Sequence, residues 1–457
     1  MGYSPSHRFF ILGAARSGRA AAGLLAESGH DVTVYDDDSG ALRAFAESDE
    51  YRARAGRIAL AATDDAERLV ASADWLVLSP GVPFGHRLVA SARRASVPVT
   101  GEIEVAFRHC NARIVGVTGT NGKSTVVRLV GDILAAAGVE AVVAGNIGTP
   151  FSEVVRRGAP PVVVLELSSF QLDTIDTFHA HVAVLLNVTP DHLDRYGRSF
   201  ATYAASKARI LNGAGTDTLY VYNDEDRTAR ALAGTHPGPV AAFSSARSLE
   251  EGVFFEGGEI VRAWRGRREA VIDRQAFTPI GLHNLENAMA AVAAVLAFDV
   301  DLEATRRALR GYHPLPHRME LVRVLGGVAY VDDSKATNVD ATAKSVQSVE
   351  GPVIVILGGR DKDGDFSVLA PLGARVRRGI LIGEAREPIR RALAAAWDLS
   401  EASDMADAVR QAADAARPGD TVLLAPACAS FDMFRDYGHR GDSFRACVEA
   451  LANEKAR

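Results

Sequence analysis

One stretch limits the possible folds more than any other: IVGVTGTNGKSTVVRLVGDILAAAG, residues 114–138. An apolar run leads into a loop of small residues and then into an amphipathic segment. Val126, Leu129, Val130, Ile133, Leu134 and Ala137 recur at the spacing of one helix face, and Gly138 stops it. A buried strand, a glycine loop and a helix N-terminus present converging N–H groups and a positive dipole end to an anion. The common phosphate loop G-x-x-x-x-G-K-[ST] wants a glycine five positions before Gly122, where this chain has Val117. Gly116 and Gly119 flank that position instead. The stretch still predicts a triphosphate site, with Gly119, Thr120, Asn121 and Gly122 around the phosphates. Lys123 would reach the β- and γ-phosphates, and Ser124 or Thr125 would meet a Mg²⁺. The competing reading, a glycine-containing turn whose lysine is merely solvated, is disfavoured by the placement of TGTNGKST between a buried strand and an amphipathic helix.

The same rhythm runs through the chain. FFILGA, DVTVYD and DWLVLSPG alternate with helical stretches over residues 9–100, which predicts a parallel sheet. A second unit opens at ARIVGVTG, continues through PVVVLELSS and VAVLLNVTPDH, and closes near GYHPLPHRME, whose prolines interrupt the helical pattern. A third carries VAYVDDS, PVIVILGG, RGILIG and TVLLAPA. The expected class is α/β with three domains, at 1–101, 102–310 and 311–457. The first and last are expected to be Rossmann-like, and the middle one a P-loop-type ATPase domain with a parallel sheet. A length of 457 residues suits roughly two to four domains.

With a net charge of −6 the chain lacks the basic balance of a nucleic-acid surface. Cys110, Cys428 and Cys447 are far apart and lack metal spacing, which suits a reducing compartment without disulfides. No apolar run approaches the ~20 residues that span a bilayer. The opening has too short an apolar run for a signal peptide, and Met1-Gly2 with Ser6 matches a myristoylation pattern only formally. A cytoplasmic monomer without membrane insertion is expected.

Ligands of open parallel sheets collect at the carboxyl ends of the strands. Polar clusters follow Val117, Leu165, Leu186, Val331, Leu357 and Leu424, which points to one cleft shared by two domains. Glu166 ends an otherwise apolar strand, where a metal ion would relieve the cost of an unpaired carboxylate. His192 lies between Asp191 and Asp194 just past another strand. With the loop hydroxyl, Glu166 and His192 form a plausible divalent site, although each alone reads as structural. Lys207, in YAASKARI, reads from composition as a surface lysine.

TGTNGKST, LELSSFQL, NVTPDHLDRY and GLHNLENAMAA (281–291) together resemble the Mur ligase family of ATP-dependent amide-forming enzymes. The likeness extends through PHRME (316–320) and DDSKATN (332–338) to APACASFDMF (425–434), and so covers the whole chain. LSSFQL, DSKATN and the run from Ala427 through Arg440 most resemble the branch that adds D-glutamate to UDP-N-acetylmuramoyl-L-alanine. The Asp-Asn-Pro-Arg motif of the diamino-acid-adding branch does not occur, and folylpolyglutamate synthetases lack the front domain. The phosphate loop, in this family's form, is a variant that accounts for Gly116 and Gly119.

The resemblance implies that ATP phosphorylates the substrate carboxylate and that glutamate's amine displaces phosphate from the acyl phosphate. It implies two Mg²⁺ ions, one held by Ser124 and Glu166, the other by His192 and Lys207 carbamylated by CO₂. His192 is also a candidate base, a role with which metal binding competes. It places Asn284 and Asn287 near adenine, Arg318 and Asp333 on the nucleotide, and Lys335 near the phosphates. Thr337, Lys362, Ser430, Phe431 and Tyr437 are expected to hold glutamate, and Asn146 the sugar-diphosphate end. Arg16, Ser17, Ser79, Pro80 and Gly81 are expected to hold the UDP end. GAARSG has Ala15 where a dinucleotide fingerprint wants its middle glycine, and Asp36 mimics the acid that binds a ribose hydroxyl. An NAD-dependent oxidoreductase is therefore the distant alternative, a sister ligase with another amino acid (L-glutamate included) the nearer one. Asp37 and Asp38 depart from the Thr-Arg pair of relatives.

Overall fold

Residues 9–12 are wholly buried, and this short apolar strand seeds the first of three sheets. The computed structural model describes residues 6–277, 279, 281–313, 316–349 and 351–455, so Met1, Gly2 and part of the proline-rich turn (314–315) lie outside the described residues. Strands β1 (Arg8–Leu12), β2 (Asp31–Tyr35), β3 (Ile58–Leu60), β4 (Trp75–Leu78) and β5 (Val99–Gly101) pair in the order β3-β2-β1-β4-β5, all parallel. The order reverses between β1 and β4, where such sheets open a ligand crevice.

The second sheet has nine strands: β6 (Arg113–Thr118), β7 (Ala141–Gly145), β8 (Val162–Glu166), β9 (Val182–Leu185), β10 (Leu219–Asn223), β11 (Val240–Ser244), β12 (Gly252–Glu256), β13 (Glu259–Trp264) and β14 (Arg267–Asp273). Their order is β14-β13-β12-β11-β10-β9-β6-β8-β7. Every residue of β8 is buried, as a strand covered on both faces requires. The expected parallel pairing holds from β7 to β12 and ends there, because tight turns fold β12, β13 and β14 into antiparallel hairpins. The third sheet comprises β15 (Glu320–Leu325), β16 (Val328–Asp332), β17 (Val353–Gly358), β18 (Val376–Ile382), β19 (Leu399–Glu401) and β20 (Thr421–Leu424), ordered β15-β16-β20-β17-β18-β19. It is parallel except for the antiparallel edge strand β15.

Helices α1 (Arg16–Glu27), α2 (Glu102–Arg108), α3 (Lys123–Ala136), α4 (Phe151–Arg156), α5 (Phe200–Ala208), α6 (Leu282–Ala294), α7 (Leu302–Arg310), α8 (Val339–Ser348) and α9 (Tyr437–Lys455) frame the site. α3, α6 and α7 cover one face of the second sheet with a core built on Val130, Ile133, Met289 and Leu309. A second core runs without a break from Phe9, Leu25 and Val34 through Ile103 to Phe151, Leu165 and Tyr203, so the first two sheets share one apolar interior. The third sheet keeps its own two cores. Among the described residues no helix is long and apolar enough to cross a membrane.

Candidate active site

β6 delivers the chain to the loop 119–122, and α3 begins at Lys123. Gly116 is not part of that loop: it pairs with Leu165 and Ala183 inside the sheet. A Cβ there would lie 3.0 Å from Ile210 Cδ1 and 3.3 Å from Ala180, so this glycine answers to packing. Gly119 and Gly122 have φ of 154° and 90°, and a Cβ on Gly122 would come within 2.3 Å of Asn287 Oδ1. Asn187 shapes the loop from the next strand. Its carbonyl accepts from Thr120 N–H at 2.9 Å and its Oδ1 from Asn121 N–H at 2.8 Å. No side chain caps the start of α3, which suits an anion. Lys123 Nζ instead donates to the Gly119 and Thr120 carbonyls at 2.7 and 2.9 Å.

Lys207 Nζ, on α5, donates to that same Gly119 carbonyl at 2.8 Å. The lysine read from composition as solvated is buried, with its ammonium 4.8 Å from the Tyr203 ring centre. Burial and the neighbouring Lys123 hold its pKa well below the ordinary lysine value. Burial lowers Lys123 as well.

Glu166 closes β8 beside this pair. Its Oε1 accepts from Asn146 Nδ2 at 2.8 Å, while the buried Oε2 has no hydrogen-bond partner. Ser124 is buried at the first turn of α3, and the Thr125 hydroxyl is buried without a partner. The orphaned carboxylate oxygen and the serine hydroxyl are hard-oxygen donors, the kind that Mg²⁺ takes. His192 sits in the left-handed region at φ 52°, 3.7 Å from Asp191. Desolvation holds its ring at about 4, Asp191 opposing and the ammonium groups of Lys362, Lys123 and Lys207 adding to the effect. Asp191 is held at about 2: burial opposes ionisation, but the Lys362 ammonium 2.7 Å away outweighs it.

The third sheet closes the cleft from above α3. Asn121 Nδ2 donates to Asp340 at 2.9 Å, and Asn338 Nδ2 donates to both Asn121 Oδ1 (3.2 Å) and Asp191 Oδ2 (3.0 Å). Asn121, Gly122, Asn287, Arg318, Asp333 and Lys335 line one cleft. Asn284, buried on α6, is not among its lining residues. Asp333 accepts from the Met319 N–H and the Ser345 hydroxyl, and burial raises it to about 6. Burial lowers Lys335 to about 8, with Arg318 adding to the effect; its ammonium lies 3.8 Å from the Tyr437 ring centre.

The residues expected at glutamate are more dispersed. Lys362 is on Asp191, Thr337 is half-buried behind Lys335, Ser430 is buried, and Phe431 is 63% exposed. Arg440, a residue of the quoted run that drew no expectation, is completely buried. It donates to the Ser334 hydroxyl and carbonyl and to the Cys428 carbonyl, and so fixes the loops after β16 and β20 to α9. Asn187 and Asn338 were passed over too, although both stand in motifs quoted for their neighbours.

In the first sheet a Cβ on Gly18 would strike the Gly13 carbonyl, the close helix–strand approach of a dinucleotide turn. The Ser79 hydroxyl donates to that carbonyl at 3.1 Å, Ser17 lies in the first turn of α1, and Arg16 reaches across to the Gly148 carbonyl. Asp36, just past β2, accepts from the Ala14 N–H of the loop after β1 at 2.7 Å. Its carboxylate therefore holds the turn in place of a ribose. Asp37 pairs with His86 at 2.7 Å, and Asp38 caps the helix Ser39–Ala46. Pro80 and Gly81 form the loop that follows β4.

Residues 117–295 match the Mur ligase middle domain, and residues 317–428 the Mur ligase, glutamate ligase domain. A protein of Salinibacter ruber named UDP-N-acetylmuramoylalanine–D-glutamate ligase is 42% identical, over 97% of this chain and 98% of its own length. Its namesake in Geobacter metallireducens is 44% identical over 96% and 97%. Among solved structures, a pseudomurein peptide ligase type C from Methanothermus fervidus superposes with a TM-score of 0.62 at 18% identity, over 97% of this chain and all of that one. UDP-N-acetylmuramate-alanine ligase from Thermotoga maritima gives 0.59 at 17%, over 98% and 100%. Those two share the three-sheet architecture. With identity above 40% sustained from the first sheet to the last, the chain belongs to the Mur ligase family.

Proposed function

We propose that this chain joins D-glutamate to UDP-N-acetylmuramoyl-L-alanine at the expense of ATP, a step of peptidoglycan precursor synthesis. The observation that carries the reading is the meeting of Lys123 and Lys207 on the Gly119 carbonyl of the glycine loop, with Lys335 in the adjoining cleft and a buried Glu166 oxygen that has no partner. Lys123 and Lys335 brought there at the cost of desolvation suit a reaction that crowds negative oxygens together, and Lys207 beside them is an amine whose charge burial disfavours. The relatives' names support the choice of substrates.

In the proposed reaction the γ-phosphoryl group passes to the free carboxylate of the alanyl substrate, which gives an acyl phosphate and ADP. Glutamate's amine, having lost its proton, attacks the acyl carbon; the tetrahedral intermediate collapses to amide and phosphate. Loop 119–122 and the start of α3 bind the triphosphate, while Asn284, Asn287, Arg318 and Asp333 hold the nucleoside end. Lys123 swings from the Gly119 carbonyl onto the phosphates, and Lys335 meets the acyl phosphate. Ser124 with Glu166, and His192 with a carbamylated Lys207, would hold two Mg²⁺ ions. Such ions supply positive charge against the phosphate oxygens. Carbamylation needs a neutral amine to add CO₂ and releases one proton, and the depressed Lys207 supports it.

Arg16, Ser17, Ser79, Pro80, Gly81 and Asn146 take the UDP-sugar end; Thr337, Lys362, Ser430, Phe431 and Tyr437 take glutamate. The domains are assigned to 1–101, 102–310 and 311–457. One chain supplies every group named, which supports action as a monomer, and the nucleotide substrates suit the cytoplasm. Phosphate release with UDP-N-acetylmuramoyl-L-alanine and a panel of amino acids of both hands tests the proposal. D-glutamate should stand out; equal rates with L-glutamate or alanine overturn the substrate assignment.

A further inference from the structure

Arg195 follows His192 in the short 3₁₀ turn Leu193–Tyr196 and has no part in the reaction as described. Its guanidinium leaves its own sheet. One nitrogen donates to the Pro80 carbonyl at 3.1 Å and the other to the Val82 carbonyl at 2.9 Å, both in the loop after β4 of the first sheet. Its flat face covers the Phe170 ring, 3.9 Å from the ring centre. Phe170 stands edge-on to the His192 imidazole, with ring centres 5.2 Å apart. One rigid side chain therefore ties the mouth of the β1/β4 crevice to the imidazole beside Asp191.

The partners are informative. A surface arginine kept for solubility would point to water, and one kept for charge would pair with a carboxylate. Arg195 gives two directional bonds to neutral carbonyls and a face to an aromatic ring, the geometry in which a planar fork fixes orientation. The shared apolar core joins the two sheets around α1, α2 and α4; the Arg195 contact spans them at the site itself.

We infer that Arg195 is a positioning residue that sets the distance between the loop Ser79–Val82 and His192, and so matches the enzyme to a substrate held at both ends. This rests on the reading that the crevice holds the UDP end. A substrate anchored at one end only does not sense that distance, whereas one anchored at both converts a small misplacement into lost rate.

The test compares Arg195→Ala, Arg195→Lys and Phe170→Leu with the wild type on UDP-N-acetylmuramoyl-L-alanine and on N-acetylmuramoyl-L-alanine, which lacks the UDP. Arg195→Ala should cut kcat/KM for the full substrate by about 10- to 100-fold and leave the truncated one within about twofold. Arg195→Lys and Phe170→Leu, which keep the charge and the apolar bulk respectively, should fall between. Equal losses on both substrates, or none on the full one, overturn the inference. A wild type inactive on the full substrate would instead overturn the proposed function, so the two failures are distinct.

Discussion

Replacing Glu102 by glutamine asks whether burial keeps a carboxyl protonated at the seam between the first two sheets. The side chain is 2% exposed; Oε1 accepts from the Ser152 N–H at the start of α4, and Oε2 has no partner. Burial pushes its pKa from 4.5 up to about 7, against the hydrogen bonds from Ser152 and Phe151. Between those values the folded chain keeps a proton that the unfolded chain releases. The stability this lends is complete below pH 4.5 and is lost as pH rises through 7. The gap corresponds to roughly 3 kcal/mol. Glutamine keeps the acceptor for Ser152 and has no acidic proton, though its second amide hydrogen bond goes unmade at about 1 kcal/mol. At pH 8 Glu102→Gln should therefore be more stable than wild type by roughly 2 kcal/mol, and near pH 5 the two should agree within about 1 kcal/mol. Urea unfolding from pH 5 to 8 reads the difference, with hydrogen exchange over residues 149–156 locating it. Two stability curves that run parallel across this range would show that Glu102 ionises freely in the fold and would refute the reasoning.

Lys207→Ala should lower ADP formation at least about 100-fold, and added acetate or another short carboxylic acid should restore part of it in a coupled assay. A loss that no carboxylate rescues counts against the carbamate. Gly122→Ala forces a Cβ into φ 90° and to within 2.3 Å of Asn287 Oδ1. It should cost about 1–3 kcal/mol and raise the KM for ATP, as thermal unfolding and steady-state rates would show. Unchanged ATP binding would mean that the loop does not hold nucleotide in this form.

The strands that end in polar clusters were readable because both of their faces are covered: β8 and β17 are continuous apolar runs, and a run of that kind is visible without a partner. The hairpins of β12, β13 and β14 were not, since their exposed faces mix charge with apolar residues and no polar cluster marks their ends. Gly116 looked like a loop residue because glycine shows permission, and only the fold shows that Ile210, far along the chain, demands it. Lys207 is the sharper case. Nothing local distinguishes a lysine on a helix that faces water from one whose ammonium rests on a phosphate-loop carbonyl. Arg195, Asn187 and Asn338 escaped for the same reason: each acts on a strand or loop that is distant in sequence.

The two seams of the molecule differ in what water can do to them. Between the first and second sheets the filling is mainly hydrocarbon, with a few polar ties such as those of Glu102 and Arg195 set into it, and prising it apart would wet that surface at about 25 cal/mol per Å². Between the second and third lie amides and ion pairs, Asn121 with Asp340 and Asn338, Lys362 with Asp191, Arg198 with Asp363, whose bonds solvent can replace one for one. One junction is thus sealed mainly by hydrocarbon and the other by polar bonds for which water can stand in, so water resists the parting of the first far more than that of the second.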